Sequence, residues 1–283
     1  AYYQMGEYFF NTNNVFKAMP NYKAIVDDFK TDKFYGFALY KYAWCLYNVG
    51  EYEKSIQVFQ EVVQFSNKNQ KVELKEDALR DMVRPYAEAG SVDAAESYFK
   101  NIIKEKKYFL MVLNKLASIY DEQDRTDDSI KIYRKLLSEE PLDSDAPKWQ
   151  KQIVESYKKK NEKEKVREEV LVLVKNYADP ASKWYLANKK SEGDILSANQ
   201  TAEFNLKMLL VEYHTEARKT NAEKTWQIVT ELYPMYLKYF PKTESSYDMR
   251  FNYAELLYDT KKFKAAGEQY QLVADADPKG AHF

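Results

Sequence analysis

Apolar residues recur along this chain at the three- and four-residue spacing of helices, and the helices come in pairs. Around Ala43-Trp44-Cys45-Leu46-Tyr47-Asn48-Val49-Gly50 one apolar segment ends at the glycine, and Ser55-Ile56-Gln57-Val58-Phe59 starts a second within five residues. That pattern predicts helix, tight turn, helix, with Ser55, Phe59 and Val62 on one face of the second helix. The same register recurs along the chain. A small residue falls at Ala18, Ser55, Ala95, Ser129, a diverged Val166 and Ala266, at intervals of 37, 40, 34, 37 and 100. Four residues later stand Tyr22, Phe59, Phe99, Tyr133, Val170 and Tyr270, and three further on Ile25, Val62, Ile102, Leu136, Leu173 and Val273. Twelve residues before the small column lie Gly6, Ala43, Val83, Ala117, Val154 and Ala254, where short side chains let two antiparallel helices approach closely.

Between 179 and 242 these columns fade. Ser182–Lys190 predicts a short helix, Ser191–Asp194 a break, Ser197–Lys219 a long helix and Ala222–Tyr239 another. The 100 residues from Val166 to Ala266 are close to three periods, which leaves room for two further, diverged helix pairs and about seven units in all. The division expected is an N-terminal array over 1–190 and a continuous C-terminal array over 194–283, with Ser191–Asp194 as the hinge. The chain is expected to continue past Phe283, and Leu272, on the outer face of the last helix, to support self-association.

These columns, with prolines closing units at Pro141 and Pro278, resemble the tetratricopeptide repeat, the helix-turn-helix unit of about 34 residues. The stretch Leu113-Asn114-Lys115-Leu116-Ala117-Ser118-Ile119-Tyr120 followed by Ser129, Tyr133, Leu136 and Pro141 is the closest match. Val83, Val154 and Val166 depart from the usual small residue. The resemblance covers about 1–178 and 243–280 and implies an all-α, right-handed superhelical α-solenoid. It also implies that the first helix of each unit lines a concave groove. By that implication the partner-binding residues are Tyr3, Phe10 and Asn11 from the first unit, with Glu7 beside them. The second supplies Phe37, Tyr40, Trp44, Tyr47 and Asn48, and the third Arg80 and Arg84, with Asp77 beside them. Rings supply contact area at low rotamer cost, amides can hold an extended peptide backbone, and arginine offers a bidentate donor to a carboxylate. Trp44 is expected to contribute more to binding than to stability. The carboxylate clamp for chaperone tails would need lysine and asparagine where Tyr3 and Glu7 stand, so that ligand is not expected.

Charge and composition then narrow the function classes. The 283 residues carry 43 Lys+Arg against 44 Asp+Glu, a net charge of −1, which removes the broad basic footprint of a nucleic-acid binder. No apolar run approaches the roughly 20 residues that span a bilayer, so membrane insertion is not expected. Cys45 is the single cysteine, and His214 and His282 are far apart in sequence, so neither a disulfide framework nor a thiolate zinc site is expected. The seven glycines allow no phosphate-cradling loop. Asp121–Asp128 lacks the glycine and spaced glutamate of a calcium loop and reads as a turn and helix cap. The lysines from Lys158 to Lys165 interleave with Glu162, Glu164, Glu168 and Glu169 and read as a neutralised surface.

No cofactor, no metal and no catalytic residue is expected, and the function expected is a non-enzymatic protein-protein interaction scaffold that binds a peptide segment or partner protein. Segments such as Phe34–Leu46, Tyr236–Pro241 and Ala254–Tyr258 resemble repeat proteins of Gram-negative cell envelopes, which implies a periplasmic or cell-envelope location. The rival expectations are a peptidoglycan or carbohydrate module that stacks sugars on Tyr40, Trp44 and Tyr47, and a regulatory array for an enzyme domain outside this chain.

Overall fold

A computed structural model of the chain describes residues 1–69, 73–277 and 279–282. Pro278 and Phe283 lie outside the described residues. The chain divides into two compact units, 1–139 and 140–283. Among the described residues every regular element is a helix.

The first unit contains α1 (Tyr2–Asn11), α2 (Val15–Asp28), α3 (Tyr35–Asn48), α4 (Tyr52–Lys68), α5 (Lys75–Asp81), α6 (Val83–Ala89), α7 (Ala95–Ile102), α8 (Lys106–Glu122) and α9 (Thr126–Glu139). The second contains α10 (Ala146–Lys159), α11 (Lys163–Tyr177), α12 (Lys183–Asn188), α13 (Glu192–Thr220), α14 (Glu223–Tyr239), α15 (Ser246–Asp259) and α16 (Phe263–Ala276). Successive helices pack in pairs, α1 on α2, α3 on α4, α8 on α9, α10 on α11, α13 on α14 and α15 on α16. A further pair has a first helix in two pieces, α5 and α6. Pro85 has no N–H to return to Asp81, and the helix is interrupted at Met82. Its partner α7 meets it through Tyr86 and Phe99, whose ring centroids are 4.7 Å apart.

The small column is buried at every position named from the sequence, Ala18, Ser55, Ala95, Ser129, Val166 and Ala266, and so is its counterpart on the first helices. Close approach is the reason. A Cβ on Gly6 would stand 2.7 Å from the Tyr22 ring, and the Ser55 hydroxyl donates to the Ala43 carbonyl at 2.8 Å across the helix pair. One column position slips by a residue. α7 ends at Ile102, which is only half-buried, and Ile103 takes the core place instead.

A fourth column lies in the turns, five residues ahead of the small one. Asn13, Gly50, Asp124, Asn161 and Lys261 all have left-handed φ, between 55° and 82°. In each case the next N–H bonds to the carbonyl five residues back, Asn14 to Phe9 at 2.8 Å, Glu51 to Leu46 at 2.9 Å, Arg125 to Tyr120 at 2.8 Å, Glu162 to Tyr157 at 3.1 Å and Lys262 to Leu257 at 2.8 Å. This is the Schellman closure, which satisfies orphan carbonyls at a helix C-terminus and sets the angle at which the second helix returns. Asp124 sits in the acidic run 121–128, which is this turn. Nothing lies within 4 Å of a Cβ added to Gly50, so Gly50→Ala should cost about 1 kcal/mol from backbone strain alone, whereas Lys261→Gly should gain up to about 1 kcal/mol. Urea unfolding of the two variants should move in opposite directions; movement in the same direction would refute the assignment of strain.

The 179–242 stretch has the expected short helix and two longer ones, α12, α13 and α14, but not the expected pairing. It holds one pair, α13 with α14, and the lone short α12, where two pairs were expected. Length is the cause: α13 has 29 residues and uses up sequence that a second turn would have needed. α13 packs on both α10 and α11, and α12 is stapled back by Trp184, whose indole N–H donates to the Asp143 carbonyl at 2.6 Å.

Candidate functional site

All ten residues expected to bind a partner lie in the first unit, and packing sorts them. Tyr3 and Phe10 are half-buried against the core cluster around Tyr22. Tyr3 stacks on Phe34 at 4.5 Å and 7° and sets an edge against Tyr22, as does Phe10. Glu7 accepts a 2.5 Å hydrogen bond from the Tyr22 hydroxyl, and Lys41 lies 4.5 Å above the Phe10 ring. Burial, and then the Glu7 carboxylate, hold the Tyr22 phenol well above its ordinary range. Asn11, at the end of α1, is exposed.

On α3, Phe37 is the ring most open to solvent, at 41% exposure. Tyr40 and Trp44 are half-buried because both set ring edges on the fully buried Phe59, at 5.8 and 6.0 Å. Trp44 in turn meets the half-buried Tyr47 edge-on at 5.6 Å. The exposed Asn48 spends its amide N–H on the Trp44 carbonyl at 2.7 Å, which leaves its carbonyl oxygen for other use. The Tyr40 hydroxyl donates to Asp81, a neighbour of Arg80, and this joins α3 to α5. Burial chiefly, and that carboxylate, raise the Tyr40 phenol.

Arg80 pairs with Asp77 and lies 3.7 Å from Asp81, so its charge is already answered. Arg84, half-buried on α6, meets no carboxylate among the described residues. The structure therefore brings the α3 rings and Arg80 together through Asp81, whereas Tyr3 and Phe10 serve chiefly as the rim of the first core cluster. Cys45 is fully buried, and burial pushes its thiol up to about 12, where it is a weak nucleophile.

A second feature was not foreseen from the sequence. In the second unit a cleft of about 880 Å³ opens between α10, the start of α11 and the C-terminal half of α13. Its floor carries Phe204, Met208 and Val211, exposed by 53%, 46% and 46%. They stand at i, i+4 and i+7 on α13, a spacing that in the sequence is indistinguishable from that of the helix's buried stripe. The available signal was an excess. Leu206, Leu210, Tyr213 and Ala217 already form a buried stripe, with Tyr213 against Lys163 of α11 and the neighbouring His214 against Tyr233 of α14, so a second apolar stripe is left open. On α16, Leu272 is exposed and Val273 buried, the split expected of that helix.

Among the described residues no helix is long and apolar enough to cross a membrane. Comparison with curated proteins gives no match. Among solved structures, the C-terminal part of a TPR repeat-containing protein from Cytophaga hutchinsonii is similar at 15% identity, over 87% of this chain and 98% of that one, with a TM-score of 0.37. The apo form of RapI is similar at 13% identity over 98% and 97%, with a TM-score of 0.39. The TPR domain of P58(IPK) is similar at 13% identity over 99% and 84%, with a TM-score of 0.30. Sequence models of the tetratricopeptide repeat match residues 37–65, 112–141 and 220–281, and these segments fall on α3 with α4, α8 with α9 and α14 to α16. With helix pairs closed by one recurring turn and packed through one recurring set of columns, the all-α chain carries tetratricopeptide repeats at 37–65, 112–141 and 220–281.

Proposed function

We propose that the protein is a non-enzymatic scaffold that holds an extended segment of a partner protein on the first-helix faces of the first unit, and that it does so within a cell-envelope complex. The observation that carries this reading is Arg84, a half-buried guanidinium that has no counter-charge among the described residues, in the repeat that follows the rings of α3. A partly desolvated arginine in that state favours a ligand carboxylate, to which it can make paired charge-assisted hydrogen bonds. Phe37, Trp44 and Tyr47 supply apolar contact for side chains, and the free carbonyl oxygen of Asn48 can accept from a peptide N–H. The envelope setting rests on the resemblance of the aromatic segments alone.

The test uses peptides selected from a random display library against the intact protein. The selected set should be enriched in Asp or Glu, and Arg84→Ala should weaken binding about tenfold, or 1.4 kcal/mol, without lowering thermal stability. Trp44→Ala should cost about 2 kcal/mol of binding. Peptides that bind both variants as they bind the wild type would overturn the assignment to this face, and salt-insensitive binding of glycan fragments instead would replace it.

A further inference from the structure

The cleft on α13 differs from the first unit's face in what it leaves unsatisfied. Nearly every polar group around Phe204, Met208 and Val211 is already engaged within the unit. The Lys158 ammonium reaches Glu155 at 3.0 Å and the Asn205 carbonyl oxygen at 3.1 Å, while the Asn205 amide donates to the Thr201 carbonyl at 2.9 Å. Lys163 pairs with Glu216 at 2.7 Å and lies 3.6 Å from Glu212. The hydroxyls of Thr215 and Thr220 bond back to the Val211 and Glu216 carbonyls of their own helix. An extended peptide laid on this floor would find few free donors or acceptors for its backbone, and burying unpaired N–H and C=O groups is costly. The fitting occupant carries its own backbone hydrogen bonds and offers an apolar stripe, which describes an amphipathic helix.

Charge sets the direction in which it lies. Lys219 lines the cleft at the C-terminal end of α13 and, among the described residues, has no carboxylate partner. A helix running antiparallel to α13 brings its N-terminal turn to Lys219, and carboxylates in that turn are favoured both by the lysine and by their own helix dipole. We propose that this cleft is a second docking surface, separate from the α3 and α6 face, which takes an amphipathic helix of a partner protein with an acidic first turn. The proposal rests on the reading of the chain as an interaction scaffold, but not on where the first unit binds.

The probe is a labelled synthetic amphipathic peptide of about 18 residues, long enough to be partly helical in isolation, with leucines on one face and glutamates in its first turn. Its controls are a scrambled sequence and a version with lysines in that turn. The intact protein should bind the first by fluorescence anisotropy and the scrambled peptide at least about tenfold more weakly. Met208→Glu should abolish the difference, and Lys219→Glu should reverse the preference between the glutamate and lysine versions. Circular dichroism of both variants checks that they fold, and Lys219, an exposed terminal side chain, keeps the test open should Met208→Glu unfold. Trp44→Ala should bind the peptide like the wild type, so failure of the first-unit reading leaves this result standing. Equal binding of ordered and scrambled peptides, or no effect of Lys219→Glu, overturns the proposal. So does a Met208-dependent dimer in sedimentation, which would make a second copy of the chain the occupant.

Discussion

Replacing Phe59 with alanine is expected to destabilise the protein by about 3 to 5 kcal/mol, the usual cost of deleting a buried ring that its surroundings cannot refill. Phe59 has no exposure, and it is the surface on which both Tyr40 and Trp44 rest their edges. Two half-buried aromatic rings cannot close the gap by a rotamer change, because Tyr40 is tied to Asp81 and Trp44 to Tyr47. Against a total stability of about 5 to 15 kcal/mol, the loss is large enough for the repeats of the first unit to unfold early. Denaturant unfolding by tryptophan fluorescence should therefore show an early transition that reports Trp44, followed by loss of the remaining helicity. A single transition shifted by less than about 1 kcal/mol would mean that the ring is not structural. The double variant Phe59→Ala with Trp44→Ala should cost less than the sum of the two, since each ring loses its contact with the other in either single change. That cycle measures how much of Trp44 belongs to the core and how much remains for a ligand.

Trp44 also shows how far helical spacing reaches. The sequence places it beside the packed Ala43 and three residues before Tyr47, and from spacing alone it faces away from the core. Its contact with Phe59 depends on the size of two side chains from different helices, which periodicity does not encode. The packing columns were legible because a small residue opposite an aromatic one is a local requirement of close helix approach, met afresh in each unit. The turn column was equally present, as Asn13, Gly50, Gly90, Asp124 and Asn161, and it could have been read from the preference of Asn, Asp and Gly for left-handed backbone. Lys261 interrupts that signal, and Gly90 follows it in sequence but not in conformation. Its φ is −85°, and the absent Cβ instead makes room for the Tyr86 ring. The cleft on α13 was hidden for a different reason. A helix apolar on two sides shows no dominant stripe, so the side that meets α14 and the side left open cannot be told apart without the neighbours.

The stability of the second unit should depend on pH through His214. Its imidazole is 8% exposed on α13, with Nδ1 2.7 Å from the Tyr233 hydroxyl of α14 and Nε2 buried without a partner among the described residues. The Trp226 ring of α14 stands edge-on at 5.9 Å. Burial, and then the nearby Arg218 guanidinium on α13, hold the imidazole down at about 4, although Asp259 and Glu255 on α15 pull the other way. Above pH 6.5 the ring is neutral in both the folded and the unfolded chain, so it adds no pH dependence. Between pH 6.5 and about 4 the unfolded chain takes up the proton and the folded chain does not. The unfolded state then binds more protons, and stability falls as pH falls, by about 1.4 kcal/mol per unit and by at most about 3.5 kcal/mol in total. Below about 4 the folded ring titrates as well, and this contribution levels off. His214→Phe preserves the ring but leaves the Tyr233 hydroxyl without its partner, a fixed cost of about 1 to 2 kcal/mol that does not vary over this range. Urea unfolding measured from pH 7 to pH 4.5 should give a steeper fall for the wild type than for His214→Phe, and the two curves should cross between about pH 6 and pH 5. The imidazole resonances of the folded wild type should stay at their neutral positions through pH 5. Parallel stability curves, or a folded-state titration near 6.5, would show that the ring is hydrated and that α13 and α14 are less closely packed at Tyr233 than the structure has them.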